Sequence, residues 1–231
     1  MRAHRRILVT AVIPCLCGFA GCARQESTRF EMLRFRFKDA DVGRLPAGWR
    51  ITQTAATGAP AAWEVIRDES AGSGRKVLAL VRSENRGGTF NLAIAEKTSF
   101  RDLDLTVQVK AVRGKEDQGG GPIWRCQDEN NYYICRVNPL EKNYRVYKVT
   151  DGRRKQLASA DLELEAGRWY TLRVTMVGDR IVCYLDGRKM LETTDGNLPG
   201  PGRIGLWTKA DAVTSFDDLA ARPTGAAVAS R

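Results

Sequence analysis

Residues 121–138 hold the side chains best suited to contacting a ligand. If they form two strands, Trp124, Cys126, Tyr133, Cys135 and Val137 face one way. Ile123, Arg125, Gln127, Tyr132, Arg136 and Asn138 then face the other. The second set joins a planar ring to guanidinium and amide donors, a mixture that stacks on a sugar's C–H face and bonds its hydroxyls. Arg125, Tyr132, Arg136 and Asn138 are therefore candidate saccharide ligands. Trp207, on the face opposite Leu206, is the fifth. The same residues would serve equally well as an Arg–Tyr ladder that solvates an exposed sheet.

Other chemistries are narrowed by what the chain contains. Ile7 to Gly21 is apolar and free of charge, follows Arg2, Arg5 and Arg6, and is shorter than the ~20 residues a membrane span needs. It ends in Phe19-Ala20-Gly21-Cys22, which resembles a bacterial lipobox. The expectation is a signal peptide over 1–21 and a lipidated Cys22 opening a tether over 22–34. Ala23, in place of an Asp, points to the outer membrane. Export would remove His4, the one histidine, and with it any Ser-His-Asp, Cys-His or His-ligated zinc mechanism. Catalysis, if any, would fall to carboxylates, and no catalytic residue can be named. Three of the 37 basic residues lie in 1–21, leaving 34 against 27 acidic ones and a net charge of +7. The basic residues are interspersed with acidic ones, so the charge reads as a solvated surface and not as a nucleic-acid interface. The partners expected are a saccharide or polysaccharide, and the membrane through the lipid. No cofactor is required.

Cys126, Cys135 and Cys183 are the only cysteines after Cys22, too few for a disulfide framework. If Asn130-Asn131 forms a two-residue turn, Cys126 and Cys135 fall opposite each other. That register would permit a disulfide in an oxidising compartment, whereas a four-residue turn would set Cys126 against Tyr133 and forbid it.

The elements positioning these residues repeat with a period of two. Leu105, Val107, Val109 and Ala111 alternate with polar residues, as do Leu172, Val174 and Met176. Turn signals such as Asp151-Gly152 and Asp186-Gly187 separate the runs, and no segment of helix length has a 3.6 period. Many short strands at near-regular spacing predict an all-β, antiparallel jelly-roll sandwich over 35–222 with a flexible tail over 223–231.

Gly121-Pro-Ile-Trp-Arg-Cys-Gln-Asp128 with Asn130-Asn-Tyr-Tyr133 resembles the central hairpin of concanavalin A-like, laminin G-like jelly rolls. So do Gly167-Arg-Trp-Tyr-Thr-Leu-Arg-Val174, Cys183-Tyr-Leu-Asp-Gly187, Gly205-Leu-Trp207 and Phe216-Asp-Asp-Leu219. The chain is most similar to the 3-keto-disaccharide hydrolase-like (glycoside hydrolase family 16-like) domains of exported bacterial proteins. That resemblance implies carbohydrate handling by binding or by hydrolysis, with a laminin G-type protein-interaction module as a third class. The Glu-x-Asp-x-x-Glu motif of glucanases on this fold is missing. Asp161, Glu163 and Glu165 sit in a charged segment expected to face solvent, and Asp102 and Asp104 meet the same difficulty. Asp217-Asp218 resembles the closing motif of jelly rolls that hold a structural Ca2+, for which Asp39 and Asp41 would be further ligands.

Overall fold

The computed structural model describes residues 31–72 and 74–224. Among these, the strands in chain order are β1 (Leu33–Phe35), β2 (Trp49–Thr54), β3 (Ala62–Arg67), β4 (Lys76–Arg82), β5 (Phe90–Phe100), β6 (Leu103–Arg113), β7 (Gly121–Asp128) and β8 (Asn131–Asn138). They continue as β9 (Asn143–Thr150), β10 (Arg153–Asp161), β11 (Trp169–Val177), β12 (Arg180–Leu185), β13 (Arg188–Thr194), β14 (Gly202–Lys209) and β15 (Val213–Pro223). A single 3-10 turn, Phe37–Asp39, is the only helical element among the described residues.

Two antiparallel sheets form a β-sandwich of jelly-roll type. One has the order β13-β12-β11-β6-β15-β4-β3, with β1 added alongside β15. The other has the order β10-β9-β8-β7-β14-β5-β2. Alternation decides what each strand buries. On β11, Tyr170, Leu172, Val174 and Met176 enter the core while Trp169, Thr171 and Arg173 look outward. Their partners on β6, Val109, Val107, Leu105 and Leu103, bring a matching apolar row. Trp124 stacks on Tyr133 at 5.7 Å and Trp63 on Phe216 at 5.8 Å, contacts worth ~0.5–1.5 kcal/mol each beyond the area they bury.

The seven-stranded sheet also buries its outer face. Phe90, Leu92, Ile94, Ile123, Cys126, Tyr132, Ile134, Tyr147, Val149 and Trp207 form a second apolar cluster there, apart from the intersheet core. The cause is coiling of the sheet. β2 lies four strands from β8, a separation of about 19 Å if the sheet were flat. Yet Thr54, at the end of β2, shares a hydrogen bond of 2.8 Å with the Tyr132 hydroxyl on β8 and also donates to the Glu129 carbonyl. Twist therefore curls the edge over the face, so that β8 is covered on both sides.

Candidate functional site

The outer face of the seven-stranded sheet gathers three rings under one guanidinium. Trp207 and Phe90 come from neighbouring strands, with ring centroids 5.3 Å apart. Tyr147 on β9 approaches the same point from the other side. Arg154, on edge strand β10, lays its guanidinium 4.4 Å from the Tyr147 ring, 5.0 Å from Phe90 and 5.9 Å from Trp207. A tight turn puts it there: Asp151 and Gly152 both take positive φ, as a two-residue hairpin demands, and Arg154 then pairs with Val149. Gly121 is the register partner of Trp207, and a Cβ on it would stand 1.9 Å from the Cys135 carbonyl oxygen. Only glycine lets the strands close at that point.

Several donors in this cluster are buried without an acceptor: Trp207 Nε1, Arg154 Nη1 and Arg136 Nε. The Trp207 N–H lies toward the Tyr132 hydroxyl without making a hydrogen bond to it. Burial pushes the Arg154 guanidinium below its ordinary value, only partly offset by the neighbouring Tyr147. In native proteins such buried groups nearly always have partners, so three in one cluster are informative.

Beside them, Arg136 stacks 5.7 Å from the Tyr147 ring. It donates to Asn143 Oδ1 (2.9 Å), Glu141 Oε2 (2.8 Å) and the Tyr147 hydroxyl (3.1 Å). Glu141 also accepts from Arg145 (3.1 Å) and Asn143 (3.2 Å). Burial raises the Glu141 pKa, but the hydrogen bond and charge of Arg136 outweigh it, with help from Asn143 and Arg145, and hold the carboxyl at about 2. Asn138 donates to Asp117 Oδ1 (3.0 Å) and accepts from the Glu141 backbone N–H (2.9 Å). Lys209 reaches Asp117 at 3.1 Å. Burial nevertheless keeps the Asp117 carboxyl above the usual carboxylate range.

Of the five residues nominated from sequence, Tyr132 and Trp207 meet in the outer cluster and Arg136 borders it through Tyr147. All five are buried, so none lies on an open sheet surface. Arg125 does not join them. It occupies a bulge with φ 46°, and its guanidinium is tied to the carbonyls of Arg101 (2.6 Å), Gly178 (2.7 Å) and Leu198 (3.1 Å) and to Asp102 (3.1 Å). Those bonds anchor strand ends and leave the guanidinium no fork to offer a ligand. The same bulge breaks the simple alternation, turning Cys126 outward beside Tyr132 while Cys135 stays in the core.

The expected Cys126–Cys135 disulfide is therefore corrected: both cysteines, like Cys183, are free and buried, and the first two lie on opposite faces of the sheet. The turn also falls one residue earlier than expected, at Glu129-Asn130. Asp128 Oδ1 accepts from the Asn130 backbone N–H (2.7 Å) and from Asn131 Nδ2 (2.9 Å), an Asx-type arrangement that starts the turn at Asp128. Burial pushes the Cys126 thiol up to about 12.

The acids read from sequence are dispersed. Asp161, Glu163 and Glu165 are exposed. Asp104 is forked by Arg173 (2.7 Å) and Arg222 (2.8 Å). Asp218 pairs with Arg36 at 3.2 Å, Asp217 is buried, and Asp39 and Asp41 are exposed. No group of three or more His, Cys, Asp or Glu side chains able to hold a metal ion occurs among the described residues. Cys22, with the signal segment before it, and residues 225–231 lie outside the described residues. Clefts of ≈ 270, 480 and 330 Å³ open among the loops lined by Arg82, Glu84, Lys115 and Asp211, not on the aromatic face.

Sequence reading missed Arg154, Tyr147, Phe90 and Glu141. The first two were within reach, because a two-residue turn at Asp151-Gly152 implies Val149 opposite Arg154, on the same face as Tyr147. Phe90 and Glu141 carried no such local signal.

Residues 41–222 match the family model of the 3-keto-alpha-glucoside-1,2-lyase-like domain. No functionally curated protein matches the chain. Among solved structures, the carbohydrate-binding module CBM66 from Bacillus subtilis superposes with a TM-score of 0.60 at 20% identity, over 76% of this chain and 95% of that one. The beta-glucanase of Bacillus licheniformis gives 0.54 at 13% identity, covering 84% and 98%. Domain 4 of AbnA, a GH43 extracellular arabinanase from Geobacillus stearothermophilus in complex with arabinotriose, gives 0.53 at 12% identity, covering 82% and 90%. These likenesses establish the fold.

Proposed function

From the premise that the chain belongs to the 3-keto-alpha-glucoside-1,2-lyase-like domain family, we propose that it binds a saccharide on the outer face of its seven-stranded sheet, held at the bacterial envelope by a lipid on Cys22. The domain is a carbohydrate-binding or hydrolase-like β-sandwich. The observation that carries the binding reading is the cluster of Trp207, Tyr147 and Phe90 with three buried, unpartnered N–H groups from Trp207, Arg136 and Arg154. Donors that lack acceptors are what a hydroxyl-rich ligand complements, and with Trp207, Tyr147 and Phe90 each at most 5% exposed, the ligand would reach the cluster at Arg154, its half-buried member. A module from Bacillus subtilis and an arabinanase domain bound to arabinotriose, both of this fold, support the same direction.

A catalytic reading has one observation in its favour: Asp117 and Glu141 both sense Arg136, and their environments drive their carboxyls in opposite directions. Both are already engaged, Glu141 by two arginines and Asn143, Asp117 by Asn138 and Lys209. Neither is thereby free to exchange a proton with a sugar, and binding is preferred. A glycan array on the full chain in detergent, run with a turnover assay on 3-keto-disaccharides, tests both. Trp207→Phe keeps an aromatic filling and removes the N–H, so it should fold and bind at least severalfold more weakly. No retained glycan, or a Trp207→Phe variant that binds like the parent, overturns the reading; turnover would move it to catalysis.

A further inference from the structure

Cations around the aromatic cluster outnumber their counter-charges. Three guanidiniums, Arg136, Arg145 and Arg154, approach Tyr147 or its neighbours; Glu141 pairs with the first two, and Asp117, the other nearby carboxyl, is taken by Lys209 and Asn138. The Arg154 side chain makes no ion pair and no hydrogen bond among the described residues, and its Nη1 is buried. Three ring faces attract the cation, yet they accept none of its in-plane N–H bonds. A half-buried guanidinium whose nearest carboxyls are bound to other groups is poorly compensated, and its planar fork matches an oxyanion. Trp207 Nε1 and Arg136 Nε, both unpartnered, belong to the same cluster.

We propose that the saccharide taken by this face is acidic, and that its oxyanion, a uronate carboxylate or a sulfate ester, docks on Arg154, the half-buried guanidinium that caps the aromatic cluster. This rests on the saccharide-binding reading above and adds the charge of the ligand. A charge-assisted hydrogen bond from Arg154 would bring it the counter-ion it lacks. The surplus of basic over acidic residues after residue 21, 34 against 27, would draw such polyanions toward the protein.

The test measures binding of the full chain in detergent to oligogalacturonate, a sulfated galactan fragment and a neutral xylo-oligosaccharide at two salt concentrations. One or both acidic probes should bind at least tenfold tighter than the neutral one and weaken as salt rises. The stronger of the two identifies the oxyanion. Arg154→Gln should lose about tenfold for the acidic probe and so erase most of its preference over the neutral one. The same variant separates a ligand role from a structural one: removing an uncompensated charge should leave the melting temperature equal or higher. Equal affinity for acidic and neutral probes, with Arg154→Gln binding like the parent, overturns the charge inference and leaves saccharide binding standing. A lowered melting temperature for Arg154→Gln with unchanged ligand preference also overturns it, making Arg154 a structural clamp. Failure of all three probes while a glycan array finds an uncharged ligand refutes the inference alone; failure on the array as well refutes both.

Discussion

Replacing Arg125 by Ala should destabilise the domain severely while saying little about ligand binding. Four acceptors converge on its guanidinium: the carbonyls of Arg101, Gly178 and Leu198, and the Asp102 carboxylate. The side chain is 1% exposed, so water does not compete for these bonds in the native state. Each buried acceptor left bare costs ~1–3 kcal/mol. Water entering the vacated space would satisfy some of them, and Asp102, 28% exposed, would be rehydrated at least in part. A total of ~3–5 kcal/mol follows, the range found when one partner of a buried ion pair is removed. For a domain of this size, at ~2–4 °C per kcal/mol, the melting temperature should fall by about 6–20 °C. Thermal melts by circular dichroism would show the shift, and urea titration should show a lower midpoint with an unchanged slope. Arg125→Lys should recover only part of the loss, since an ammonium cannot reach all four acceptors in one plane. A variant melting within about 2 °C of the parent, a change of under ~1 kcal/mol, would refute the anchoring role. If that variant also lost glycan binding, Arg125 would return to the candidate site.

Three further outcomes are expected. Replacing Cys22 by Ser should release the protein from membranes or block its processing, and unchanged partitioning in a fractionation experiment would contradict lipidation. The chain from Ala23 onward, unfolded without reductant, should titrate three thiols, while its native form should react slowly because Cys126, Cys135 and Cys183 are buried and the Cys126 thiol is held at about 12; one thiol on unfolding would reinstate a bridge. Glu141 has a folded pKa of about 2 against an ordinary 4.5, so its stabilisation is full above about 4.5 and lost as pH falls toward 2. Melting curves of the parent and Glu141→Gln should accordingly differ most near neutral pH and converge between pH 4.5 and 2, and a gap that does not change with pH would contradict this.

The fold was legible because its information is local. Period-two alternation in Leu103–Arg113 and Trp169–Val177, and Asp-Gly turns at 151–152 and 186–187, specify strands and hairpins within about ten residues of chain. Residue types of the candidate site were legible too, since Arg136, Tyr132 and Trp207 stand out by alternation alone. What they do with their faces was not. A bulge at Arg125 shifts the pairing, because an inserted residue flips every side chain beyond it, and nothing in Trp-Arg-Cys-Gln announces one. The pairing of Cys126 with Cys135 failed for that reason, and because Asp128 captured the turn. Coiling of the seven-stranded sheet, which brings Thr54 to Tyr132 across four strands, is a property of the whole sheet's twist. It buries a face that alternation leaves open to water, and it gathers Phe90, Tyr147, Arg154 and Trp207 from four separate strands. Side-chain periodicity is written along the chain; the meeting of distant strands depends on pairing order and curvature, which only the tertiary structure decides.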